Sequence, residues 1–220
     1  MLFDLHIHTV RYSRCSILNP RDLVLRAKEI GLDGLAITEH DRCWSLQELA
    51  KLKEETGVDD FILLRGTEIE SEWRHLLIFN YPHDIGRNTP IKEVIDEVTH
   101  EGGVVILAHP FRYGRLLDLS LEELRDLFAP FDAVEILTPQ HSNHENQKAL
   151  LLQQSLQLVG IGGSDSHDID QVGKCVTYFS NPIRDEKDLA QSIRDGNCRP
   201  LFGHQSLEGF AAEPQASSLI

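Results

Sequence analysis

Short runs rich in Ile, Leu and Val alternate with longer stretches of helical periodicity along nearly the whole chain of 220 residues. The short runs fall at residues 3–8, 34–38, 61–68, 75–81, 104–109, 133–137, 159–164 and 175–180. Consecutive apolar positions in several of them are the pattern of parallel strands buried on both faces. Helical patterns lie between them at 20–31, 45–57, 90–102, 120–128, 143–157 and 185–196, most opening on Pro, Ser or Asn and several closing on Gly. Such a βα rhythm leaves an open doubly wound sheet or a barrel. The Gly-x-Gly-x-x-Gly turn that would mark a dinucleotide-binding open sheet is missing after the first strand. The expectation is therefore one α/β domain, a TIM-like barrel over 1–204. Residues 205–220, small and polar without a period, read as a flexible tail.

Composition narrows the partners. The 35 acidic residues outnumber the 21 Lys and Arg, for a net charge of −14, which argues against a broad grip on long duplex nucleic acid or an anionic membrane surface. Hydrophobic residues at 41% exclude wholesale disorder. Cys15, Cys43, Cys175 and Cys198 form no Cys-x-x-Cys pair, so neither a zinc ribbon nor a disulfide framework is read, and reduced thiols in the cytoplasm are expected. The opening MLFDLHIHT interrupts its apolar stretch with charge and histidine, unlike a signal peptide, and no run approaches the ~18–20 apolar residues of a membrane span.

Candidate chemistry gathers where strands end. Of eleven histidines, His6, His8, His40, His75, His109 and His167 lie at ends or edges of predicted strands. His6 and His8, two apart, point to one face with roughly 6–7 Å between Cα atoms, close enough to share a cation, and Asp4 continues that face. A polar exposed strand or a satisfied core histidine is the alternative. Thr38-Glu39-His40-Asp41 follows a purely apolar strand, although Asp41 suits a helix N-terminus equally well. Glu68 and Glu70 share a face, and a carboxylate, unlike an imidazole, can bridge two cations. Glu70 and Glu72 could simply be solvated. His109 is the first polar side chain after the apolar run 104–108, and Asp165 and His167 repeat the two-residue spacing of His6 and His8. Cys15 lies near this group as a possible nucleophile or a packing residue. His83, His100, His141, His144 and His204 read as mostly surface residues. No Gly-x-Ser-x-Gly elbow, phosphate loop or His-Glu-x-x-His helix offers a rival chemistry.

Asp4-Leu-His6-Ile-His8-Thr9, Thr38-Glu-His40-Asp41, Gly66-Thr-Glu68-Ile69, His75-Leu-Leu, Ala108-His109-Pro110 and Gly163-Ser-Asp165-Ser-His167 together resemble the PHP (polymerase and histidinol phosphatase) superfamily, in that family's order. The resemblance implies a distorted (β/α)7 barrel, two or three divalent ions (zinc, manganese or iron) and phosphoester hydrolysis. By matching motif positions it implies His6, His8, Glu68 and Asp165 around a first ion, Glu68, His75 and His109 around a second, and His40 and His167 around a third. Where many small members carry Ser-Asp-Gly, this chain reads Ser13-Arg14-Cys15-Ser16, apparently after one extra residue. Arg14 therefore either weakens the third ion and grips a substrate phosphate with its planar fork, or turns out to solvent. Arg112, two residues after Pro110, is placed for a phosphate contact or for a surface ion pair. His167 or His40, when free of metal, would serve as general acid.

The expected activity is metal-dependent hydrolysis of a small phosphorylated metabolite or a nucleotide end by activated water. Hydrolysis of C–N bonds by the same kind of site, and a PHP-like metal-binding interaction module without catalysis, are the alternatives.

Overall fold

A computed structural model describes residues 1–203 apart from 73, 87 and 115; the expected tail at 205–220 and His204 lie outside the described residues. The strands are β1 (Leu2–Asp4), β2 (Gly34–His40), β3 (Ile62–Ser71), β4 (Arg74–Phe79), β5 (Val104–Leu107), β6 (Ala133–Leu137), β7 (Gly160–Gly162), β8 (Cys175–Phe179) and β9 (Cys198–Phe202). The helices are α1 (Pro20–Glu29), α2 (Leu46–Thr56), α3 (Ile91–His100), α4 (Leu121–Phe128), α5 (Asn143–Leu156) and α6 (Glu186–Arg194). All six predicted helices form. Ser45, Ser120 and Ser142 each cap a helix and complete a capping box with Glu48, Glu123 and Glu145.

One sheet runs β7-β6-β5-β4-β3-β2-β1-β8-β9 and curls into a nearly closed barrel. It is mixed rather than parallel throughout. β1, β2 and β3 are parallel, as are β5, β6 and β7, but β4 is antiparallel to both neighbours, and β8 runs antiparallel to β1 and β9. Too few residues separate β3 from β4 for a helical crossover, so the pair can only be a hairpin. β9 was not expected, since Cys198-Arg-Pro-Leu-Phe202 lacks β-branched residues and carries a proline, which an edge strand tolerates.

Closure is made by a change of partner along the first strand. At Leu2 and Phe3, β1 pairs with β8. Three residues on, the His8 N–H donates to the Ser166 carbonyl and the Ser166 N–H to that of His6, at 2.9 and 3.2 Å, joining the extension of β1 to that of β7. Side-chain parity shifts at the same place. Leu5 belongs to the interior cluster with Phe3, Ala36, Leu64, Leu77, Ile106 and Ile161, whereas His6 and His8 both face the open rim. Asp4 consequently does not share their face: its carboxylate accepts from the Ser164 and Gly173 N–H groups at 3.0 and 2.9 Å. Burial raises its pKa to about 6 against the pull of those hydrogen bonds.

Leu189, Ala190 and Ile193 of α6 join the interior cluster, and Arg194 donates to the Gly103 carbonyl just before β5. This helix plugs the barrel at the N-terminal ends of the strands. The C-terminal ends stay open, as in barrel enzymes generally. Among the described residues no helix is long and apolar enough to cross a membrane.

Candidate metal centre

Glu68 ends up at the middle of the open rim. It is buried, paired with His40 at the last rung of the β2–β3 ladder and enclosed by histidines from neighbouring strand ends. One oxygen lies 2.8 Å from His75 Nδ1, 3.2 Å from His109 Nε2 and 3.3 Å from His6 Nε2. The other lies 2.9 Å from His40 Nδ1 and 3.2 Å from His8 Nε2. Asp165 closes the far side, with Oδ1 3.3 and 3.2 Å from the Nε2 atoms of His6 and His8. His167 Nδ1 lies 2.9 Å from the Asp165 carbonyl oxygen, and its ring stacks on His8 with centroids 4.5 Å apart. The eight expected metal-binding residues therefore converge.

Their possible ligand atoms form overlapping groups, each within 4.8 Å: His6, His8 and Glu68; Glu68, His75 and His109; His8, His40 and His167; His6, His109 and Asp165. The second matches the expected second-ion set. The third adds His8 to the expected pair His40 and His167, and the fourth joins His109 to Asp165 across the expected division.

Strand ends reach this geometry through unusual backbone. Asp41, His109 and Asp165 have φ of 55°, 27° and 48°, a region that non-glycine residues rarely adopt and that surrounding contacts must hold in place. Asp41 is not a helix cap, since Ser45 caps α2; it lines a cavity of about 840 Å³ over the rim, together with Tyr12, Arg14, Cys15, Glu70 and Glu72. Arg14 is thus solvent-exposed and on the cavity wall at once. Arg112 donates to Asp165 Oδ2 at 3.3 Å.

Electrostatics bind the group tightly. Burial pushes Glu68 up, but the His6 charge, the hydrogen bond with His109 and the nearby His40 imidazole hold it well below the usual carboxylate range. Asp165 is likewise lowered, burial being outweighed by His6 and His8. Burial pulls His6 down, yet Glu135, Asp165 and Glu68 raise it well above an ordinary imidazole. His8 and His75 are raised through Glu68 in the same way, and for His8 also through Asp165, whereas burial and the neighbouring His8 lower His167.

Two buried carboxylates behind the rim were not singled out beforehand. Glu135 on β6 lies 3.0 Å from His6 Nδ1 and accepts from the His109 N–H at 2.9 Å. Glu39 accepts from the Thr9 N–H at 3.0 Å, the Ser13 hydroxyl at 2.5 Å and Trp44 Nε1 at 3.1 Å, and Ser13 Oγ lies 3.3 Å from His8 Nδ1. A glutamate amid the apolar residues of Ala133–Leu137 was the available signal for the first. His141, expected at the surface, is buried: its Nε2 accepts from the Phe111 N–H at 3.2 Å and thereby pins the loop that carries Arg112. His83, His100 and His144 are exposed as expected. Replacing His141 with Ala strands that amide, and we expect a loss of about 1–3 kcal/mol in denaturant unfolding.

The donor set fits divalent ions. His6 Nε2, His8 Nε2 and Glu68 Oε2 are buried without a hydrogen-bond partner among the described residues, which is costly unless something else occupies their lone pairs. Imidazole with carboxylate suits zinc, manganese and iron alike.

A family model described as PHP-associated matches residues 143–198. The uncharacterized protein MJ1587 of Methanocaldococcus jannaschii is 30% identical over 151 residues, covering 64% of this chain and 84% of that protein. Among solved structures, a proposed metal-dependent phosphoesterase from Bifidobacterium adolescentis superposes with a TM-score of 0.60 at 21% identity, over 87% of this chain and 95% of that one. An amidohydrolase from Chromobacterium violaceum does so with a TM-score of 0.63 at 16% identity, over 91% and 98%. Both share the fold.

Proposed function

The chain belongs to the PHP superfamily, and from that premise we propose that it is a metal-dependent phosphoesterase acting on a small phosphorylated metabolite or a nucleotide end. The observation that carries this reading is Glu68, whose two oxygens are shared among five histidines while buried lone pairs beside them lack partners.

In this reading His6, His8, Glu68 and Asp165 hold one ion, Glu68, His75 and His109 a second, and His40 with His167 a third, with zinc, manganese or iron as the metal. Bound divalent ions supply Lewis acidity, lowering the pKa of a water and screening phosphate oxygens as charge builds at phosphorus. The chain's own residues do the rest. Glu68 keeps the ion-binding groups at fixed separation. Arg112, held by Asp165, presents guanidinium N–H groups to a phosphate oxygen, and Arg14 offers a second contact from the cavity wall. His167 or His40, when free of metal, gives its proton to the departing oxygen. The four free thiols are in keeping with a reducing cytoplasm.

Amide hydrolysis is the second reading, favoured by the fold shared with the amidohydrolase. The test is metal analysis of purified protein, then parallel screens of phosphorylated metabolites, short oligonucleotides and amides with the recovered metal. Phosphate release is the expected result. Turnover of amides alone would overturn the proposal, and salt-sensitive, tight binding to long duplex DNA would contradict the expected preference for small substrates or strand ends.

A further inference from the structure

We infer that Glu135 is a positioning residue that ties two of the ion-binding groups together from behind the rim. The inference rests on the reading of His6 and His109 as metal ligands.

Glu135 is fully buried in the middle of β6, a strand that contributes no member of the ion-binding groups. A carboxylate there is expensive unless its oxygens are used. Both are. Oε1 faces His6 Nδ1 at 3.0 Å, and Oε2 accepts from the His109 amide at 2.9 Å. A carboxylate oxygen facing Nδ1 makes that nitrogen the one that keeps its proton when a cation takes the ring, and Nε2 the one aimed between Glu68 and Asp165. The other oxygen acts on backbone: His109 sits at φ 27°, and the hydrogen bond from its amide to Glu135 helps to hold that strained turn, with the ring 3.2 Å from Glu68. One carboxylate therefore orients a ring in one group and a backbone in another.

Gly163 shows how closely this arrangement is packed. A Cβ on Gly163 would lie 2.5 Å from Glu135 Oε1 and 2.6 Å from His6 Cβ. The His6 and Glu135 side chains can meet here because Gly163 places none between them.

The experiment titrates Zn²⁺ or Mn²⁺ into chelator-stripped full-length protein by calorimetry, with circular dichroism and thermal unfolding as controls for fold. Wild type, Glu68→Gln, Glu135→Gln and Glu135→Asp are compared. For Glu135→Gln we expect ion affinity to fall ~10- to 100-fold with saturating stoichiometry and cooperative unfolding retained, and turnover to recover as metal is raised. Glu135→Asp should fall between it and wild type. Wild-type affinity in a folded Glu135→Gln protein would overturn the inference; should that variant not fold, wild-type affinity in Glu135→Asp would do the same. If wild type itself binds no ion, or Glu68→Gln binds like wild type, the metal-centre reading fails instead.

Discussion

Glu68→Ala is expected to abolish turnover while leaving a folded protein. Both oxygens face histidines, at 2.8 to 3.3 Å, so removing the carboxylate takes a donor from more than one ion-binding group at once. It also removes the negative charge that holds neighbouring imidazoles together. A loss of roughly 3–5 kcal/mol in transition-state stabilisation corresponds to a ~10²- to 10⁴-fold fall in kcat. Bound metal per chain, measured by mass spectrometry, should fall by at least one ion. Because Glu68 stands at the rim and not among the apolar side chains that fill the barrel, far-ultraviolet circular dichroism should be unchanged. A variant with wild-type kcat and full metal content would remove Glu68 from the centre of the mechanism.

Chelation should make stability fall as pH rises above neutrality, and added metal should abolish that fall. His6, His8 and His75 are raised above the ordinary imidazole value of 6.5 by buried carboxylates. Their stabilising contribution in the metal-free protein is fully present below 6.5 and is lost as pH climbs through their folded values. His141 and His167 are lowered, so their effect is opposite in sign and lies below 6.5, outside this window. The lowered Glu68 and Asp165 contribute above the ordinary carboxylate range and lose that contribution only in acid. A bound cation replaces the protons on the imidazoles and needs them neutral, so its affinity grows over the same interval. At a thousandfold excess over Kd it adds about 4 kcal/mol. Thermal midpoints between pH 6.5 and 8.5, with EDTA and with Zn²⁺ or Mn²⁺, check this; parallel curves would contradict it.

The strand ends were legible because apolar runs that stop abruptly at His, Glu or Asp are rare and regular enough to place the residues on one rim. Motif order then grouped residues as far apart as His6 and Asp165, which spacing alone could not. Strand direction was less accessible. Val104–Leu107 and the Leu76–Phe79 part of β4 are both apolar and buried, and only the brevity of the link from β3 to β4 distinguishes a hairpin from a crossover. The parity shift after Asp4 was invisible, since strict alternation put Asp4 on the face of His6 and His8 when its partners are backbone amides contributed by Ser164 and Gly173. Glu39 and Glu135 lie behind the rim, Glu135 against His6 Nδ1 and Glu39 against Ser13, which lies beside His8 Nδ1, and no linear pattern encodes these contacts. His141 was misplaced because its partner, the Phe111 amide, is thirty residues away.

Closure of the barrel between the first strand and the stretch around Ser166 has a consequence for how the protein comes into being. Ser164 donates to the His6 carbonyl across 158 residues of chain, and Asp165 follows it. During synthesis the opening histidines leave the ribosome long before the aspartate they are to face exists. Until then the growing chain carries an unclosed sheet with bare edges, slow to pair and prone to stick to itself. The proposed set of His6, His8, Glu68 and Asp165 cannot template the early stages, because Asp165 emerges last, long after Glu68, His75 and His109. On the proposed assignment, filling of the site that includes Asp165 is therefore a late event in the making of each molecule.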